Sequence, residues 1–234
     1  MSSTTSLASE SRTSQGPVWF YLHGFASSPA SSKARAFVDW GNARGLPLSA
    51  LDLRRPSLAH LRFSEILSYV RSEIDRLGPH ARVVLVGSSL GGLAACRVAE
   101  VEPRVSALFL MAPAFKLAER WRVHIGEAGW ERWKKSDAFD IVDHATGQRA
   151  VVDHGFISNL GEHDVADGGF PDIRVPTCIV HGIKDATVDI ELSREWAKGK
   201  RHVRLVEVDD GHELKDSIPR VISEATEFFR TFGV

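Results

Sequence analysis

Gly87-Ser88-Ser89-Leu90-Gly91 follows the apolar run 83–86 without a break. The spacing G-x-S-x-G, centred on Ser89, is that of a nucleophile elbow, a sharp strand-to-helix turn that pushes a serine hydroxyl into a cleft. Gly87 and Gly91 would keep bulk away where the backbones crowd, and a following helix N-terminus would favour developing negative charge. Ser88 is off-centre and reads as a neighbour that packs locally. A serine hydroxyl is a poor nucleophile at neutral pH, so it needs an imidazole to take its proton and an acid to orient that imidazole. Both follow in the chain order that such elbows require. Asp185 comes after the apolar segment TCIVHG, and His212 after VRLVEVDDG. Asp189, Asp209 and Asp210 compete for the acid role, but two of them lie too near His212 in the chain, and Asp189 reads as a helix cap. A tetrahedral oxyanion needs two backbone N–H donors. Leu90, next to the nucleophile, is one candidate, and Phe25 in Leu22-His23-Gly24-Phe25 is the other. His23 and His181 each precede a glycine and read as structural histidines.

These residues need a scaffold, and the rest of the chain supplies its pattern. Short apolar segments at 18–22, 48–53, 83–87, 105–111, 177–182 and 203–208 read as strands. Between them, 31–45, 63–78, 90–101, 190–199 and 219–232 read as helices; Phe63, Ile66, Leu67, Val70, Ile74 and Leu77 form a 3.6-residue stripe. Strict alternation predicts an α/β fold, a mainly parallel sheet of about six strands with helices on both faces. Residues 114–170 break the rhythm. They hold Trp121, Trp130 and Trp133, and ATGQ between two β-rich runs reads as a hairpin with Gly147 in the turn. An interval of that length is expected to be an inserted cap or lid, with the three tryptophans in its core or lining a substrate pocket.

Composition excludes several classes. The net charge is −1 over 234 residues, which favours neither nucleic acid nor a membrane surface. No stretch approaches a membrane span. Cys96 and Cys178 lie inside apolar segments and read as buried hydrophobes of a reducing compartment, so a cytoplasmic protein is expected. Residues 1–16 read as a disordered tail, and 17–234 as one domain. His144, His154, His163, Asp143, Asp153, Asp164 and Glu162 crowd the insert, but without metal-binding spacing; no metal and no cofactor is expected.

The stretches YLHGFASSPASSKA and VGSSLGG, with HGxxD and GH further on, resemble the α/β-hydrolases, and among them the small YqiA-like bacterial esterases of the UPF0227 group. The resemblance runs over roughly 18–113 and 175–232. It implies a Ser89, Asp185, His212 triad, an oxyanion hole from Phe25 and Leu90, and hydrolysis of a small-molecule carboxylic ester or thioester through an acyl-enzyme. An amidase or peptidase on the same fold, and a ligand-binding module that does not react, are the other expectations. Haloalkane dehalogenation is disfavoured because the elbow holds serine rather than aspartate.

Overall fold

The computed structural model describes residues 16–163 and 169–231. The expected tail therefore lies, but for Gly16, outside the described residues, as does Asp164.

Six strands form one parallel sheet: β1 (Val18–Leu22), β2 (Leu48–Leu51), β3 (Val83–Ser88), β4 (Val105–Met111), β7 (Thr177–Gly182) and β8 (Val203–Val208). Their order is β2-β1-β3-β4-β7-β8. Period-2 alternation splits their side chains between two cores. Trp19 and Tyr21 of β1, with Phe109 and Met111 of β4, face α1 (Ser32–Asn42) and α7 (Ile218–Arg230). Phe20, Leu22, Leu108 and Leu110 face the other side, against α2 (Phe63–Asp75), α3 (Leu90–Val101) and α6 (Ile190–Ala197). The expected helices and strands are all present, some shorter by a few residues at their ends. Asp189 caps α6 by accepting the Glu191 N–H at 3.0 Å.

The interval between β4 and β7 folds as α4 (Leu117–Ser136), the hairpin β5 (Phe139–Asp143) and β6 (Gln148–Val152), and α5 (His154–His163). The hairpin is antiparallel with Gly147 at φ +72°, as its turn residues predict. Neither helix is signalled by periodicity. Gly126, at φ +68° and ψ 167°, breaks α4 into two short segments. The interval is tied to the body through Asp153, which takes a bidentate pair from Arg62 (2.6 and 2.9 Å) and faces His60 Nδ1 at 2.7 Å. Burial alone would raise the Asp153 carboxyl, but the Arg62 and His60 contacts outweigh it and hold the pKa down. Among the described residues, no helix is long and apolar enough to cross a membrane.

Candidate active site

Ser89 sits between β3 and α3 at φ +53° and ψ −118°, a strained conformation for a residue with a side chain. The glycines around it are dictated by contact. A Cβ on Gly91 would lie 2.1 Å from the Leu22 carbonyl oxygen, and one on Gly87 2.5 Å from that of Gly91. Gly24 brings the loop after β1 against the serine, where its Cβ would stand 3.3 Å from Ser89 Cβ.

His212 Nε2 lies 3.1 Å from Ser89 Oγ, and His212 Nδ1 lies 2.7 Å from Asp185 Oδ2. The carboxylate can only accept, so Nδ1 carries the proton and Nε2 is left to accept from the serine hydroxyl. Asp185 itself is fully satisfied. Its Oδ1 accepts the N–H groups of Thr187 (2.8 Å) and Val188 (2.7 Å), and its Oδ2 meets a second imidazole, His181 Nε2, at 3.1 Å. Burial would push this carboxyl up. The bonds from His181, His212 and the Val188 amide outweigh burial and hold it well below the usual carboxylate range.

His181 is completely buried. Its Nε2 also faces the Val188 carbonyl at 3.0 Å, so that nitrogen is the donor, and Nδ1 accepts the Ser193 hydroxyl at 2.8 Å. The sequence presents His181 only as a strand-end histidine beside a glycine, and its contact with Asp185 carries no sequence signal, because a spacing of four aligns side chains on a helix and not across a strand end. His23 is likewise held on both nitrogens. Nδ1 donates to the Gly24 carbonyl (2.8 Å) and Nε2 accepts the Leu53 N–H (3.0 Å).

The acid and base loops are pressed together. A Cβ on Gly182, at the end of β7, would lie 2.3 Å from the Asp210 carbonyl oxygen. Lys184 N–H donates to that oxygen at 3.0 Å. The Asp210 carboxylate in turn accepts the N–H groups of Gly211, Asp216 and Ser217, which closes the loop that carries His212.

A cavity of about 580 Å³ opens over these groups. Ser89, Leu90, Phe25 and His212 line it from the sheet side, and Leu117, Trp121, Ile125, Phe139 and Ile141 line it from residues 114–170. Leu90 opens α3, so its N–H has no intrahelical carbonyl, and the Phe25 N–H finds no backbone partner among the described residues. Of the three tryptophans expected near the pocket, Trp121 lines it and packs edge-on against Phe25, with ring centroids 5.2 Å apart. Trp133 is instead buried behind it and donates Nε1–H to the Val152 carbonyl at 3.0 Å. Trp130 packs on Trp133 and His154 and is not among the lining residues. Among the described residues, no three His, Cys, Asp or Glu side chains converge as a metal site would require. Cys96 and Cys178 are buried, and burial pushes both thiols up, that of Cys178 to about 12.

Comparison with known proteins places this geometry in context. The sequence profile of an uncharacterised protein family, UPF0227, matches residues 18–230. Comparison with curated proteins gives no match. Among solved structures, the chain is similar to α/β-hydrolase domain-containing protein 10 from mouse, with 20% identity and a TM-score of 0.78 over 93% of this chain and 91% of that one. It is also similar to Est1E from Butyrivibrio proteoclasticus with ferulic acid bound (20%, 0.78, 92% and 88%). An esterase from Pyrococcus furiosus is a further match (18%, 0.63, 93% and 83%). At these identities the likeness shows a shared fold.

Proposed function

The chain belongs to the UPF0227 family and has the α/β-hydrolase fold; from that premise we propose that it is a serine hydrolase that cleaves carboxylic esters through an acyl-enzyme. The observation that carries this reading is the unbroken hydrogen-bonded path from Ser89 Oγ through His212 to the buried Asp185 carboxylate.

In the proposed reaction His212 Nε2 takes the Ser89 proton as Oγ attacks the ester carbonyl. The Phe25 and Leu90 amides donate to the resulting oxyanion. His212 then returns the proton to the leaving alcohol, and the bond to that alcohol breaks to leave an ester on Ser89. Water, deprotonated by His212, attacks that ester; the bond to Ser89 Oγ breaks, the acid leaves, and His212 returns the proton to Oγ. Asp185 keeps the imidazole in the required tautomer and stabilises the imidazolium. Thioesters would follow the same steps. Residues 114–170 act as the cover of an apolar acyl pocket, since they supply its Leu117, Trp121, Ile125, Phe139 and Ile141 wall. The named esterases among the fold relatives support the same class.

The test is a short reaction with p-nitrophenyl butyrate, followed by peptide mass spectrometry. One butyryl group on the peptide that carries Ser89, together with a burst of nitrophenol, is expected. Turnover with the acyl group on another residue, or no turnover across a chain-length series, would overturn the assignment.

A further inference from the structure

The cavity has a second, polar end that ester hydrolysis does not use. Lys33, in the first turn of α1, is 91% buried by its side chain, which is 9% exposed. Its ammonium has three protons to place, and it meets the His212 carbonyl at 3.5 Å and a Glu213 carboxylate oxygen at 3.7 Å. Both contacts are long for a charged donor, and the Glu213 side chain is 56% exposed. Arg120, the other lysine or arginine lining the cavity, is already engaged by the Thr187 carbonyl. Burial lowers the Lys33 pKa, opposed by Glu213, Asp185 and Asp210, the acidic groups that face it.

Tyr21 supplies an independent observation. It is 1% exposed and lines the same end of the cavity. Its hydroxyl is approached by those of Ser88 and Ser31 without a well-aligned hydrogen bond to either. A buried hydroxyl without a partner costs free energy that a ligand oxygen would recover. Ser31 caps α1 through the Ala34 N–H at 3.3 Å, and helix geometry leaves the Ser32 and Lys33 amides without intrahelical carbonyls. A buried cation with two long contacts, a poorly bonded phenol and a helix N-terminus thus line one cavity with the serine.

We propose that the Lys33, Tyr21 and Ser32 end of the cavity is a carboxylate subsite, so that the substrate is an ester bearing a carboxylate close to its scissile bond. The proposal rests on the esterase reading. Proximity follows from His212, whose carbonyl faces Lys33 at 3.5 Å while its Nε2 faces Ser89 Oγ at 3.1 Å. A single negative charge fits better than a phosphate dianion. One lysine supplies one positive charge, whose charged form the facing Glu213, Asp185 and Asp210 favour, and one positive charge matches a carboxylate rather than a dianion.

Two pairs of esters test it: p-nitrophenyl hemiglutarate against p-nitrophenyl pentanoate, and 4-carboxyphenyl butyrate against phenyl butyrate. The wild type should prefer the charged member of at least one pair in kcat/KM. Lys33→Met should cut that preference on the order of tenfold, the loss expected for one buried charge-assisted bond. Tyr21→Phe should cut it less. Equal losses on charged and neutral esters would make Lys33 a mere anchor of the His212 loop and overturn the subsite. Glutarate binding by calorimetry gives a readout that does not need turnover. Binding to the wild type that is lost in Lys33→Met upholds the subsite even if no ester is hydrolysed, which would sink only the esterase reading. Tighter binding of inorganic phosphate than of glutarate would overturn the carboxylate assignment.

Discussion

His181 Nε2 lies 3.1 Å from Oδ2 of Asp185, the same oxygen that His212 Nδ1 reaches at 2.7 Å. The acid is therefore held between two imidazoles on one oxygen and two amides on the other, and it has no position left for a donor. Asp185→Asn must turn its NH2 toward one of these donor pairs. Turnover should fall on the order of 10⁴-fold. His181→Ala should cost roughly ten- to a hundredfold in kcat, the value of one charged hydrogen bond. Asp189→Asn should leave kcat near wild type, because Asp189 only caps α6. Steady-state kinetics on the three variants decides the matter, and an Asp189 variant more damaged than the Asp185 one would move the acid.

Ser88 and Ser89 are neighbours with different surroundings: Ser88 ends β3 and Ser89 occupies the strained turn. A fluorophosphonate probe should label the wild type once. Ser89→Ala should abolish the label and Ser88→Ala should keep it. Persistent labelling of Ser89→Ala, read by gel fluorescence, contradicts the assignment of the nucleophile.

Trp121 and Trp133 pack with ring centroids 5.1 Å apart, but only Trp121 reaches the cavity. Trp121→Ala should enlarge the acyl pocket and shift the best p-nitrophenyl ester toward longer chains, each added CH2 contributing up to ~0.8 kcal/mol until the space is filled. Trp133→Ala should instead cost about 3–5 kcal/mol of stability and leave the chain-length maximum where it is. Denaturant melts beside a chain-length series separate the two, and an unmoved maximum in Trp121→Ala would remove it from the pocket wall.

His23 is neutral in the fold, since its Nε2 accepts the Leu53 N–H and burial lowers its pKa. Protonation therefore favours the unfolded chain. Its contribution to stability is present above the unfolded value of ~6.5 and is lost as pH falls from there toward the depressed folded value. Tm measured from pH 7 down to pH 5 should fall, and His23→Gln should flatten that slope while lowering Tm at pH 7. An unchanged slope in the variant would place the acid sensitivity elsewhere.

Ser89, Asp185 and His212 were legible because each sits where an apolar strand ends, and such ends are marked by glycines that backbone crowding demands. The sheet was legible for a related reason, its four central strands β1, β3, β4 and β7 being buried on both faces and reading as apolar runs. Helix α4 was not, because Gly126 divides its pattern. Lys33 and Tyr21 were not either. One is a charge in the first turn of an amphipathic helix, the usual place for a solvated side chain. The other alternates with core residues in β1, and nothing in a one-dimensional string says that both line one cavity.

The pressing of Gly182 against the Asp210 carbonyl has a consequence for engineering and for divergence within the family. The segments 182–189 and 209–217 form one mechanical cassette, in which the acid is set by a turn whose floor is the base loop. An insertion in either segment displaces the other, so a loop graft that carries only one of them would separate Asp185 from His212. If the chain is the proposed esterase, its substrate range can instead be remodelled through the pocket wall of Trp121, Phe139 and Ile141, provided Arg120, which bonds the Thr187 carbonyl of that joint, is kept.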